Sequence, residues 1–197
     1  MNNGRRDIWK PWDKMQFAAE QTYERVADFF GLDVSPCIKY DNGFVSLFSY
    51  NKRLIQVHAY SSDPLFSLND IKDIVEPEVV RTICLLMFVD AICNNTDRHS
   101  GNLALLKNGD GFFVDVCPAY DNCVTFELSF GNQAMFGVTA TRQWRHPDIF
   151  VWLMENWDDC RYLFEKYISK EFDDCIKDSV YFDWILNQRD RLVKALE

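Results

Sequence analysis

The sequence predicts an α+β chain, with a small sheet-bearing N-terminal part and a mostly helical C-terminal part. Three observations carry this. Asn42-Gly43 stands between two apolar runs, a hairpin signal, because these residues accept the positive φ that tight strand connections demand. From Pro77 to Cys93 the chain is apolar on nearly every side, which marks a helix buried all round. After Pro147, apolar and aromatic residues recur at helical spacing as far as Leu196.

In order, Asp7-Ile8-Trp9-Lys10-Pro11-Trp12 reads as the end of a strand. Asp13 is an N-cap, with Gln16 as its capping-box partner. The helix it opens runs to Phe30, with Phe17, Tyr23, Val26, Ala27 and Phe30 on or near one face and Glu20 in its first half. Gly31 ends it. Cys37–Tyr40 and Phe44–Tyr50 are the arms of the hairpin across Asp41-Asn42-Gly43. Residues 51–66 are mixed in character and read as an irregular connector, and Ser67-Leu68-Asn69-Asp70 starts a short helix to Val75.

Glu76-Pro77 opens the longest helix, since proline suits the first helical turn. Arg81 and Asp90 are nearly its only polar residues. Leu103–Leu106 and Phe112–Val116 flank Lys107-Asn108-Gly109-Asp110-Gly111, a second hairpin that Pro118 closes. Residues 122–145 read as an irregular substrate-binding or activation-type loop. The tail forms three or four amphipathic helices whose aromatics are core, with Asp158-Asp159 and Asp173-Asp174 as solvated helix starts.

Composition narrows the function. The chain has 197 residues, 48% of them apolar, enough for one domain or two small lobes around a cleft. A net charge of -9 argues against direct nucleic-acid binding, which needs clustered Lys and Arg. Seven cysteines, an odd count with no CxxC pair, fit buried thiols in a cytoplasmic protein. The polar start Met1-Asn2-Asn3-Gly4-Arg5-Arg6 does not look like a signal peptide, and the run Ile83 to Val89 is too short to span a bilayer.

The chemistry concentrates in Asn94-Asn95-Thr96-Asp97-Arg98-His99-Ser100-Gly101-Asn102, directly behind the buried helix. Taken alone, this could be a polar cap. But Asp97 and Asn102 stand five residues apart, the spacing of the base and the metal-ligand Asn in a protein-kinase catalytic loop. Geometry demands it: the Asp meets the incoming hydroxyl while the Asn, one short loop away, holds Mg²⁺ on the nucleotide phosphates. A second carboxylate should follow the next hairpin, and Asp121 does, with Asp115 its competitor. A strand Lys and a helix acid should precede them, and Lys10 and Glu20 do. His58, His99 and His146 read as structural. A metal-dependent hydrolase using Asp97, His99 and Asp121 is the weakest rival, because no HExxH-type spacing occurs.

Thr96-Asp97-Arg98-His99-Ser100-Gly101-Asn102, followed by Val116-Cys117-Pro118-Ala119-Tyr120-Asp121, resembles the HipA-like serine/threonine kinases, the toxin kinases of bacterial toxin–antitoxin modules. Ile8-Trp9-Lys10-Pro11 is similar to the family's Lys-bearing strand, and Glu20 through Gly31-Leu32-Asp33-Val34 to its Glu-bearing helix. The resemblance runs from about Ile8 to Asp121. It implies a protein-kinase-like fold, with a reduced N-lobe over residues 1–60 and a helical C-lobe over 61–197. It implies an ATP- and Mg²⁺-dependent kinase acting on a protein substrate, with an antitoxin partner. Asp97 would be the catalytic base, Asn102 and Asp121 the Mg²⁺ ligands, Lys10 the α/β-phosphate contact and Glu20 its partner, with His99 shaping the loop. The family also places a glycine- or serine-rich phosphate-covering loop before the Lys strand. Only nine residues precede Lys10 here, with one glycine, Gly4. The expectation is therefore a truncated gene product, a separately encoded partner that supplies the piece, or weak nucleotide binding. The alternative is a pseudokinase-like nucleotide-binding or interaction module.

Overall fold

The computed structural model describes residues 8–46, 53–56, 75–95, 103–107, 113–116, 118–119, 122 and 157–196. It mixes helices and small sheets. In chain order these are β1 (Ile8–Pro11), α1 (Lys14–Phe30), β2 (Cys37–Tyr40), β3 (Gly43–Ser46), β4 (Arg53–Gln56), α2 (Pro77–Cys93), β5 (Ala104–Lys107), β6 (Phe113–Val116), α3 (Trp157–Tyr167), α4 (Lys170–Ile176) and α5 (Phe182–Leu196). The strands form two three-stranded antiparallel sheets, ordered β1-β3-β2 and β4-β5-β6.

The first sheet places Lys10. β3 is its central strand and is buried throughout. Lys10 lies opposite Phe44, which lies opposite Lys39. The β2–β3 turn differs from the expected Asn-Gly turn. Its two residues are Asp41 and Asn42, with the left-handed conformation at Asp41 (φ 53°). Asp is among the few non-glycine residues that adopt it at low cost. Gly43 is instead the first residue of β3, where a Cβ would run into the Lys10 carbonyl oxygen and the Trp9 indole. Glycine is thus needed there for the close approach of β1, rather than for the turn.

α1 starts and stops where its end residues dictate. Asp13 accepts from the Met15 and Gln16 amides at 2.8 and 2.9 Å, satisfying two donors that a helix start leaves open. Gly31 takes the left-handed conformation (φ 78°), and the Leu32 amide reaches back to the Ala27 carbonyl at 2.9 Å. The face between these ends buries Ala19, Tyr23, Val26, Ala27 and Phe30.

α2 is the axis of the core, with Ile83, Cys84, Phe88, Val89, Ile92 and Cys93 fully buried. α1 packs on one side of it, β5 and β6 on another, and the tail helices close the rest. Aromatic rings tie the tail in: Phe88 stacks edge-on against Phe30 (5.4 Å) and Tyr167 (6.4 Å), and Tyr167 against Phe172 (5.2 Å). Polar contacts do the same for α1. Thr22 and Ser179 hydroxyls lie 2.7 Å apart, and Lys166 donates to the Phe29 carbonyl at 2.8 Å.

Two local expectations are corrected. The connector expected at 51–66 contains β4, which pairs with β5 from Arg53 opposite Lys107 to Gln56 opposite Ala104. Asp173 is half-buried and ion-paired with Arg189 of α5 instead of being solvated. Ser169 is the residue that caps α4. The short helix expected before Val75 and the loop at 122–145 lie outside the described residues, apart from Asn122. Cys37, Cys84 and Cys93 are buried thiols and Cys175 is half-buried. No helix among the described residues is long and apolar enough to cross a membrane.

Candidate functional site

β1 alternates between an exposed and a half-buried face, and Lys10 is on the face toward α1. Glu20, in the second turn of α1, points back at it. Lys10 Nζ and Glu20 Oε1 are 3.2 Å apart, and the side chains are 14% and 1% exposed. Burying a carboxylate costs several kcal/mol unless charge and hydrogen bonds compensate. Both are supplied here, because the same Oε1 also accepts the backbone N–H of Asn122 at 3.0 Å.

That second bond matters because Asn122 directly follows Asp121. The segment is held once more upstream. Ala119 forms a parallel bridge with Val34: its N–H donates to the Asp33 carbonyl and its carbonyl accepts the Ser35 N–H, both at 2.9 Å. Asn122 is therefore held to α1 at Glu20, and Ala119 to the loop that follows α1. Asp115 lies further back at the end of β6, exposed, with Oδ1 on the Val116 amide at 2.9 Å. It shares a small cavity of about 150 Å³ with Asp33 and Pro118.

The other flank is also tied to α1. The Tyr23 hydroxyl, one turn from Glu20, donates to Asp90 Oδ1 at 2.7 Å. Asn95 Nδ2 donates to the same oxygen at 3.0 Å, and the Asn95 N–H to the Asp90 carbonyl at 2.8 Å. Asn94 between them is left-handed (φ 50°), which turns the chain off the α2 axis. Asn95 stands two residues before Asp97.

Of the site residues expected from the sequence, Lys10 and Glu20 are in contact. Asp97, His99, Asn102 and Asp121 lie outside the described residues, while their neighbours Asn95, Leu103, Ala119 and Asn122 are all buried. Sequence reasoning missed Asn122, Tyr23, Asp90 and Asn95 as polar partners. One signal pointed to Asp90: it is a lone acid on an otherwise apolar helical turn, just before a polar loop.

No protein-family model matches the sequence, and no curated protein matches it. Among solved structures, the crystal structure of a Helicobacter pylori proinflammatory kinase, CtkA, is similar, with a TM-score of 0.48 and 18% sequence identity. The match covers 64% of this chain and 53% of that one, so the chain spans about half the length of the structure it matches.

Proposed function

We propose that this chain is an ATP- and Mg²⁺-dependent serine/threonine protein kinase of HipA-like type, working as the toxin of a toxin–antitoxin pair. The observation that carries the reading is the Lys10–Glu20 pair whose carboxylate also holds the amide next to Asp121. Phosphoryl transfer depends mostly on positioning and on charge placed where phosphate charge sits. An ammonium oriented by a buried carboxylate, with part of its side chain still open to solvent, is suited to contact the α/β-phosphates.

Asp97 accepts the proton of the substrate hydroxyl in this reading. Asn102 and Asp121 offer an amide oxygen and a carboxylate, the hard oxygen donors that Mg²⁺ takes, and would hold it. Bound there, the ion would neutralise phosphate charge during transfer. Glu20 keeps Lys10 in place and ties it to the segment carrying Asp121.

The test is incorporation of labelled phosphate from ATP–Mg²⁺ into protein serine or threonine, by wild type and Asp97→Ala. Loss of roughly 100-fold or more in the variant is expected, from removal of the base. Equal incorporation by both proteins sinks the proposal. Nucleotide binding by the wild type without any transfer points to the interaction-module alternative.

A further inference from the structure

We infer that Tyr23, Asp90 and Asn95 form a buried positioning triad that sets where the loop at 94–102 leaves α2, and hence where Asp97 is presented. The inference rests on the kinase reading for its catalytic consequence and on geometry for the rest. Asp90 and Tyr23 are 0% exposed, and so is Asn95. Three polar side chains buried together are costly unless their bonds are made. Here Asp90 Oδ1 takes Tyr23 and Asn95 at 2.7 and 3.0 Å, and the Asp90 carbonyl takes the Asn95 amide at 2.8 Å.

Ending a helix does not require this. A glycine after the last turn would do so, as Gly31 does for α1. Nor does stability require it, since apolar side chains of matching volume commonly replace buried polar groups without loss. What a polar triad adds is geometric exactness. Hydrogen bonds weaken steeply outside a narrow range of distance and angle, whereas apolar contacts tolerate sliding. Asn95 is held to Asp90 through both its backbone and its side chain, so the chain has one exit direction from α2. Tyr23 then refers that exit to α1. The same helix, three residues earlier, uses Glu20 to hold Asn122. One face of α1 thus registers both the start of the loop with Asp97 and the residue after Asp121. Phosphoryl transfer needs these two segments in fixed relation, because displacements near 1 Å can cost roughly 100-fold in rate.

The experiment uses the full chain with Tyr23→Phe and Asn95→Ala, and with Thr22→Ala as a control. Thr22 is also buried and hydrogen-bonded, through Ser179, but faces neither segment. In folded Tyr23→Phe and Asn95→Ala protein, kcat should fall roughly 10–100-fold, with KM for ATP–Mg²⁺ within about twofold. Thr22→Ala should leave kcat unchanged. Amide hydrogen exchange should quicken in residues 94–102 of the two triad variants and stay the same in α1 and in α2 before Asp90. Unchanged exchange in 94–102 overturns the proposal whether or not the protein is a kinase. Equal loss of kcat in Thr22→Ala also overturns it, because general destabilisation would then explain the effect. A wild type without phosphoryl transfer overturns the kinase reading instead, and the exchange result still decides the triad.

Discussion

One oxygen of Glu20 serves two donors, an ammonium and a backbone amide, in a place almost closed to water. Lys10→Met leaves that carboxylate buried without its cation. The expected loss is about 3–5 kcal/mol in urea unfolding, the range found when one partner of a buried pair is removed. Lys10→Met combined with Glu20→Gln keeps an acceptor for Asn122 and removes the charge, so it should recover about 1–3 kcal/mol of that loss. If the double variant is no more stable than Lys10→Met, the pair is not the source of the cost. The Lys10–Glu20 contact was legible in the sequence because a strand Lys followed by a helix acid is the order in which a kinase pairs them. Asn122 and Asn95 were not, and Asp90 showed only as a lone acid on an apolar helical turn. A backbone amide has no side-chain signature, and the Tyr23–Asp90 bond joins residues 67 positions apart.

Among the elements, the ends of α1 were readable because its caps are local chemistry, and α2 begins at Pro77 as the proline indicated. Asp13→Ala removes the acceptor for two amides and should cost about 1 kcal/mol of stability. Gly31→Ala meets no atom within 4 Å, so its cost is that of a left-handed backbone alone, again about 1 kcal/mol. Both are measured by thermal or urea melts, and a neutral result at either position would show that the helix end is held by packing instead. α2 was legible for the opposite reason, its lack of a polar face. β4 was hidden because its partner β5 lies some fifty residues later, and a strand four residues long carries little pattern of its own. The first hairpin was recognised with its turn starting at Asp41 as found, but Gly43 was assigned to the turn and is the first residue of β3. Gly43 carries the turn-like residue type for a different purpose, the close approach of β1.

Across the described tail, Tyr167 and Phe172 are core and Phe164 and Trp184 pack against it, whereas Tyr162, expected as core, is exposed because it lies on the solvent side of α3. Burial pushes the Tyr167 phenol well above its usual value of 10.0, opposed in part by the Arg189 charge. Below about pH 10 both folded and unfolded chains keep the proton, so this group adds no pH dependence. Above it the unfolded chain releases the proton and the folded chain does not. Stability should then fall by up to about 1.4 kcal/mol per pH unit. Tyr167→Phe should flatten that slope in urea melts between about pH 9 and 11, and an unchanged slope would exclude Tyr167 as its source. The same tail has a consequence for synthesis. The apolar face of α1 is covered in part by α4, and α1 is bonded to Lys166, Ser179 and Tyr181, all encoded more than a hundred residues later. At ribosomal speeds of about 5–20 residues per second, roughly 7–30 s separate the emergence of the two. A nascent chain cut off before residue 157 carries α1 with that side bare, as a natural client for a chaperone. α1, which holds Lys10 and Asn122 through Glu20 and Asp90 through Tyr23, is therefore not clamped from that side until the C-terminal helices are made.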